Sequence, residues 1–299
     1  MEKIKRIYFK LEGGLGNQFF QLAHALKVAN YFEINGYSTI ILYDELSLIK
    51  SRTENHIIKL RSKSKKASFL KLLILRFYYH FMLDKFLLIK KIDSCFLVQK
   101  HVYFYNYNIN LNNNFIYIIG NWMSESYFLN IKIYLKNSIF LFDNNIYSTI
   151  NKKILSNNSV AIHIRRGDYL SESWIEKLNV CGYEYYLNSI NKLNNLVNKK
   201  LQFFVFTNSI EDISFLKSNY EYLHNSIFVT DNNFNTINDF ISMTLCKYFI
   251  ISNSTYSWWA SYLANYEDKI IIAPKKWNNE LNLNMKDIYI ENWVIINND

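Results

Sequence analysis

Short apolar runs that end in polar clusters and lead into a helical apolar period recur along this chain, predicting alternating strands and helices. The first passes from IYFKLE (7–12) through GGLGNQ into FFQLAHALKVANYFEING (19–36). The second passes from SVAIHI (159–164) into RRGDY and, after a loop, into YEYYLNSINKLNNLV (183–197). The third passes from CKYFIIS (246–252) into NSTYSWWASYLANY (253–266) and on to KIIIAP (269–274), where Pro274 ends a strand. QFFVFTNS (202–209) is a further buried strand with a polar end. Strands alternating with helices predict parallel sheets of the doubly wound kind, whose ligands sit at the carboxyl ends of the strands. The polar, irregular stretch 141–159 predicts a domain boundary near 150–158, dividing the chain into 1–155 and 156–299.

Composition changes this picture little. Half of the 299 residues are apolar, enough for a substantial core. With seven glycines and one proline, turns fall largely to Asn and Ser. Cys95, Cys181 and Cys246 are far apart and fit neither a disulfide framework nor zinc spacing, so free thiols in a reducing compartment are expected. The N-terminus enters a strand directly, without the apolar run of a signal peptide or membrane anchor, so a cytoplasmic protein is expected.

Charge adds a regional feature. The net charge of +9 lies wholly in residues 59–91, which hold ten basic residues and one acid, Asp84. Leu70, Leu73, Ile74, Phe77 and Phe81 recur there at helical spacing, describing a basic amphipathic insertion. It suits either peripheral contact with an anionic membrane or packing of its apolar side on the core. The rest of the chain is neutral; no nucleic-acid partner is expected, and the alternative from another class is a membrane- or nucleic-acid-binding protein driven by this segment.

Three clusters carry candidate chemistry. Gly14 and Gly16 satisfy the first two glycines of a dinucleotide fingerprint, but Phe19 stands at the third; the loop is either a tight turn or a binding loop, with Asn17 and Gln18 as adjacent amides. In HIRRGDY, strand alternation puts His163 and Arg165 on one side and Ile162 and Ile164 on the other. Arg165 and Arg166 suit phosphate recognition, while Asp168 pairs with one of them or fixes the loop. Asn253, Ser254 and Thr255 sit at a helix start, where they cap the helix or meet phosphate oxygens. Trp258 and Trp259 are expected in the core. Asp239 stands near the start of another helix, as a cap or as a carboxylate facing a purine. No D-x-D or metal-ligand spacing occurs, so no metal is expected.

Together, GGLGNQFFQ, HIRRGDY and SNSTYSWWASYL, in this order and at these separations, resemble the bacterial α-1,2-fucosyltransferases of glycosyltransferase family 11. The resemblance runs from Gly13 to about Trp277 and takes in GNWMSESYF (120–128), FFVFTNS and IIIAPKKW. It implies an α/β, GT-B-like fold: an acceptor-side Rossmann-like domain and a GDP-sugar-binding one facing a cleft. It further implies GDP-fucose as donor, a galactose-terminated glycan as acceptor, inversion, no metal, and work at the cytoplasmic face of a bacterial membrane. Arg165 would then grip the β-phosphate, His163 and Asp239 would contact guanine, and Ser254 and Thr255 would complete the phosphate site. Asp168 and Glu172 are the nearest candidates for a base, and Asn17 for a group that orients the reactants.

Overall fold

The computed structural model describes residues 4–51, 65–73, 75–76, 96–99, 109, 111–129, 131, 149–178, 181–229, 236–279 and 285–298. The chain forms two compact units, Met1–Leu141 with Lys286–Ile288, and Phe142–Met285 with Tyr289–Asp299.

Unit one holds five parallel strands in the order β3-β2-β1-β5-β4: β1 (Ile4–Lys10), β2 (Ser38–Asp44), β3 (Lys65–Lys66), β4 (Phe96–Val98) and β5 (Phe115–Ile119). The helix Leu15–Ile34 covers β1 and β2 and buries most of its length, including Phe19, Phe20 and Leu26. It begins four residues earlier than the apolar period predicts, because Gly14 in extended conformation already serves as its N-cap. Gly16 therefore lies buried inside the first helical turn. Gly13 is the residue whose backbone requires glycine, at φ +70 with the Asn17 side chain folded against it.

Part of the basic insertion belongs to this unit. Leu72 and Leu75 are buried with Ala67, Tyr8 and Tyr117, whereas Leu70 and Leu73 are exposed. Here the core is filled by Leu72 and Leu75, not by Leu70 and Leu73 of the apolar face read from the sequence. Ile74, Phe77 and Phe81 lie outside the described residues, as does Cys95. Arg76 anchors the segment by an ion pair to the fully buried Asp44 at 2.7 Å, and Tyr117 donates its hydroxyl to the same carboxylate.

Unit two holds six parallel strands in the order β11-β10-β9-β6-β7-β8. These are β6 (Ser159–His163), β7 (Gln202–Phe206), β8 (Ile227–Phe228), β9 (Tyr248–Ile250), β10 (Ile271–Pro274) and β11 (Val294–Ile296). All five residues of β6 are buried, as expected of a central parallel strand covered on both faces. One core joins Val160, Ile162, Val205, Ile250 and Ile272 of the sheet to Tyr185, Tyr186 and Leu193 of the helix Tyr183–Leu196. Trp258 and Trp259 are fully buried in the helix Thr255–Leu263. The helix Thr149–Leu155 precedes the 155/156 boundary read from the sequence, yet it belongs to unit two, where Ser242 donates to Asn151 at 2.6 Å.

Both sheets are doubly wound. In unit two the winding reverses between β6 and β9, and in unit one between β1 and β5. Ligand sites in such sheets lie outside the carboxyl ends of the strands at these reversals.

Candidate active site

The loops leaving β6 and β9 meet at the reversal of unit two. His163, the last residue of β6, is buried, and its Nδ1 lies 2.9 Å from the Ser252 hydroxyl just beyond β9. Burial, reinforced by the neighbouring Arg165 charge, lowers the His163 pKa to about 3, so the imidazole is neutral at ordinary pH. Its ring lies 5.4 Å from that of Tyr256. Arg165, two residues on, completes one wall of a pocket whose other walls come from Phe206 at the end of β7, Thr207 and Asn208 beyond it, and Thr236, Asp239 and Tyr256.

The two arginines have different partners. Arg165 pairs through Nη2 with Asp168 at 2.7 Å, while its buried Nε has no hydrogen-bond partner among the described residues. Arg166 pairs through Nε with Asp212 at 3.1 Å and stacks over Phe215 at 3.7 Å from the ring centroid. Its backbone N–H donates to Asn208 Oδ1 at 3.1 Å. Asp168 thus holds the pocket arginine, and Arg166, read from sequence as a donor contact, has its guanidinium turned to Asp212 and Phe215. Gly167 between them adopts φ +37. Glu172, the other candidate base, is exposed.

Beyond β9 the hydroxyls and the amide diverge. Ser254 caps its helix, accepting from the Tyr256 N–H at 3.3 Å, and Thr255 opens the first turn, half-buried. The Asn253 side chain faces the protein. It donates to the carbonyls of Leu178 and Trp277, each at 2.9 Å, and accepts from the Cys181 thiol at 3.6 Å. Tyr169 donates its hydroxyl to the Asn253 carbonyl at 3.1 Å. Asn253 therefore ties segments together rather than presenting its amide to a nucleotide. Cys181 and Cys246 are free thiols, and burial pushes the Cys181 thiol up to about 12, far from a reactive thiolate.

Sequence reasoning did not single out Asn208, Thr236 or Tyr256. The polar end of QFFVFTNS signals Asn208, and Tyr256 lies inside the SNSTYSWW cluster, where only hydroxyl and amide groups drew notice.

At the reversal of unit one, Gln21 donates to the Glu12 carbonyl at 3.2 Å and accepts from the Glu12 N–H at 3.0 Å, closing the GGLGNQ turn. Gln99 Oε1 accepts from the N–H groups of Asn121 and Trp122, both at 2.8 Å, at the end of β5. The Gln18 amide donates to the Gly13 carbonyl at 2.9 Å. His24 is buried and stacked on Trp122 at 4.0 Å, and burial lowers its pKa to about 3. Among the described residues, no group of three or more His, Cys, Asp or Glu is placed to hold a metal ion.

A family model, Glycosyl transferase family 11, matches residues 2–297. The chain belongs to glycosyl transferase family 11. Two Escherichia coli proteins are similar along nearly their whole length. An alpha-1,2-colitosyltransferase is 30% identical over 295 residues, covering 96% of this chain and 97% of that protein. The O-antigen biosynthesis glycosyltransferase WbnK is 27% identical over 318 residues, covering 93% and 98%. Among solved structures, a mutant of Arabidopsis thaliana FUT1 in complex with GDP superposes with a TM-score of 0.51 at 12% identity, covering 93% of this chain and 72% of that one. That likeness is one of fold, GT-B-like, with two Rossmann-like units. No described helix is long and apolar enough to cross a membrane.

Proposed function

We propose that this family 11 glycosyltransferase moves L-fucose from GDP-fucose to the 2-hydroxyl of a terminal galactose on a surface glycan, with inversion and without a metal. The observation that carries the reading is Arg165, whose buried Nε lacks a partner among the described residues at the sheet reversal, in a pocket shared with neutral His163 and Asp239. As the acceptor hydroxyl attacks the anomeric carbon, the bond to the nucleotide breaks and negative charge grows on the β-phosphate. A fixed guanidinium aimed there stabilises the transition state more than the ground state. Asp239 would accept from the amide and amino edge of guanine, and the remaining ring nitrogen of His163, Nε2, would meet the same base. Ser254 and Thr255, at a helix N-terminus, would receive phosphate oxygens.

A second reading keeps the site and changes the sugar. The similarity to an alpha-1,2-colitosyltransferase supports GDP-colitose as the competing donor, and the similarity to WbnK supports O-antigen assembly as the setting.

The test is mass spectrometry of purified protein with lactose or N-acetyllactosamine and each donor in turn, with and without EDTA. An EDTA-insensitive fucosylated product cleaved by an α-1,2-specific fucosidase is expected. Transfer from GDP-colitose alone would replace the donor, and the absence of any effect of GDP on thermal stability would remove the nucleotide site.

A further inference from the structure

The helical stretch at 69–73 is apolar on two sides. One side, continued by Leu75, is in the core: Leu72 is 2% exposed and Leu75 is 7%. Arg76 fastens the same segment from below, reaching Asp44 at 2.7 Å and the Ser47 hydroxyl at 3.2 Å. The other side carries Phe69, Leu70 and Leu73, exposed by 62%, 68% and 45%. Spacings of three and four residues bring these side chains together on one face, turned away from the one the core has filled.

Three large apolar side chains side by side on a surface mark a place where something docks. Lys65 and Lys71, both exposed, belong to the same stretch, and residues 59–91 carry all the net charge of the chain. A nucleic acid would use the cations and leave the apolar trio in water. A second copy would set +9 against +9. An anionic bilayer surface takes both features, the acyl boundary receiving Phe and Leu and the headgroups receiving lysine. We infer that residues 65–73 form an interfacial docking face for anionic lipid, holding the enzyme at a membrane surface without spanning it. The inference is independent of which sugar is transferred.

The test uses the full chain and sucrose-loaded vesicles of phosphatidylcholine, with or without about 30% phosphatidylglycerol, at low salt and at about 0.5 M salt. Two variants are compared, F69S/L70S/L73S and K65E/K71E. All five positions are exposed, so each variant is checked for an unchanged thermal transition. Wild type is expected to pellet with the anionic vesicles, and each variant to lose about tenfold or more of its partition coefficient. Neutral vesicles and high salt are expected to give comparable losses. Failure of wild type to pellet, or wild-type partitioning by the triple serine variant, would overturn the inference. So would a self-associated species in sedimentation equilibrium that the triple serine change dissolves. Duplex DNA binding as tight as vesicle binding, and untouched by that change, would also overturn it.

Discussion

Arg165 and Asp168 form an ion pair at 2.7 Å within one turn of the loop that leaves β6, and the Asp168 side chain stays 59% exposed while the Arg165 Nε is buried. An exposed carboxylate contributes little to stability through such a pair, roughly 0–1 kcal/mol. Its consequence is directional: the carboxylate fixes where the guanidinium points.

Arg165→Ala and Arg165→Lys are therefore expected to lower kcat/KM about 100-fold or more while the thermal transition stays near wild type. Asp168→Asn keeps the positive charge and loses only its aim, so a loss of about tenfold or less is expected. Steady-state kinetics on the three variants checks this. A loss in Asp168→Asn equal to that in Arg165→Ala would make Asp168 a participant in proton transfer.

Arg166 gives the contrasting expectation. Removing its side chain leaves Asp212, nine-tenths buried, without its charge partner and uncovers Phe215. Arg166→Ala is expected to cost about 1–3 kcal/mol in urea denaturation. GDP affinity in the folded fraction should change far less than in Arg165→Ala, a comparison that calorimetry reads directly.

Asp239 bears on the choice of base. If its carboxylate receives the guanine edge, Asp239→Asn presents a donor to donors and weakens GDP about tenfold or more while leaving the weak binding of ADP unchanged. Equal weakening of both nucleotides would move Asp239 from base recognition to capping of its helix.

Acid should destabilise the protein through two histidines. His24 and His163 are held neutral in the fold, their pKa lowered from 6.5 to about 3 by burial. Below pH 6.5 the unfolded chain takes up protons that the folded chain refuses, so stability falls as pH drops from about 6.5 toward 3. The limiting slope is about 1.4 kcal/mol per pH unit for each histidine. Urea midpoints measured at neutral and mildly acidic pH are expected to show it. His24→Phe should remove about half of it, and an unchanged slope would assign the acid lability to carboxylates instead.

Much of this was legible in the amino-acid order because parallel sheets write their reversals as polar clusters after buried runs. SVAIHI, QFFVFTNS and CKYFIIS each became a strand whose polar end reaches the site or its supporting loop. What stayed hidden was the partner of each polar group. Nothing in HIRRGDY distinguishes the arginine whose Nε is left over from the one whose counter-ion, Asp212, lies 46 residues away. Asn253 looked like a ligand contact because a helix start favours such residues, and only the fold shows its amide turned to Leu178 and Trp277. In the basic insertion the apolar period was visible, but with apolar residues on two sides it could not say which side the core would take.

The Asn253 tie bears on how this enzyme could be redesigned. Through one amide and its own carbonyl, Asn253 joins Tyr169, Leu178, Cys181 and Trp277, and Asn279 fastens the same region by donating to the Glu176 and Lys177 carbonyls at 2.8 and 2.9 Å. The loop after HIRRGDY and the segment after β10 are thus one mechanical part. A graft that swaps 170–178 from a relative must bring the matching 275–279 with it, or the imported loop will arrive without its fastenings and pull the Arg165 turn out of line.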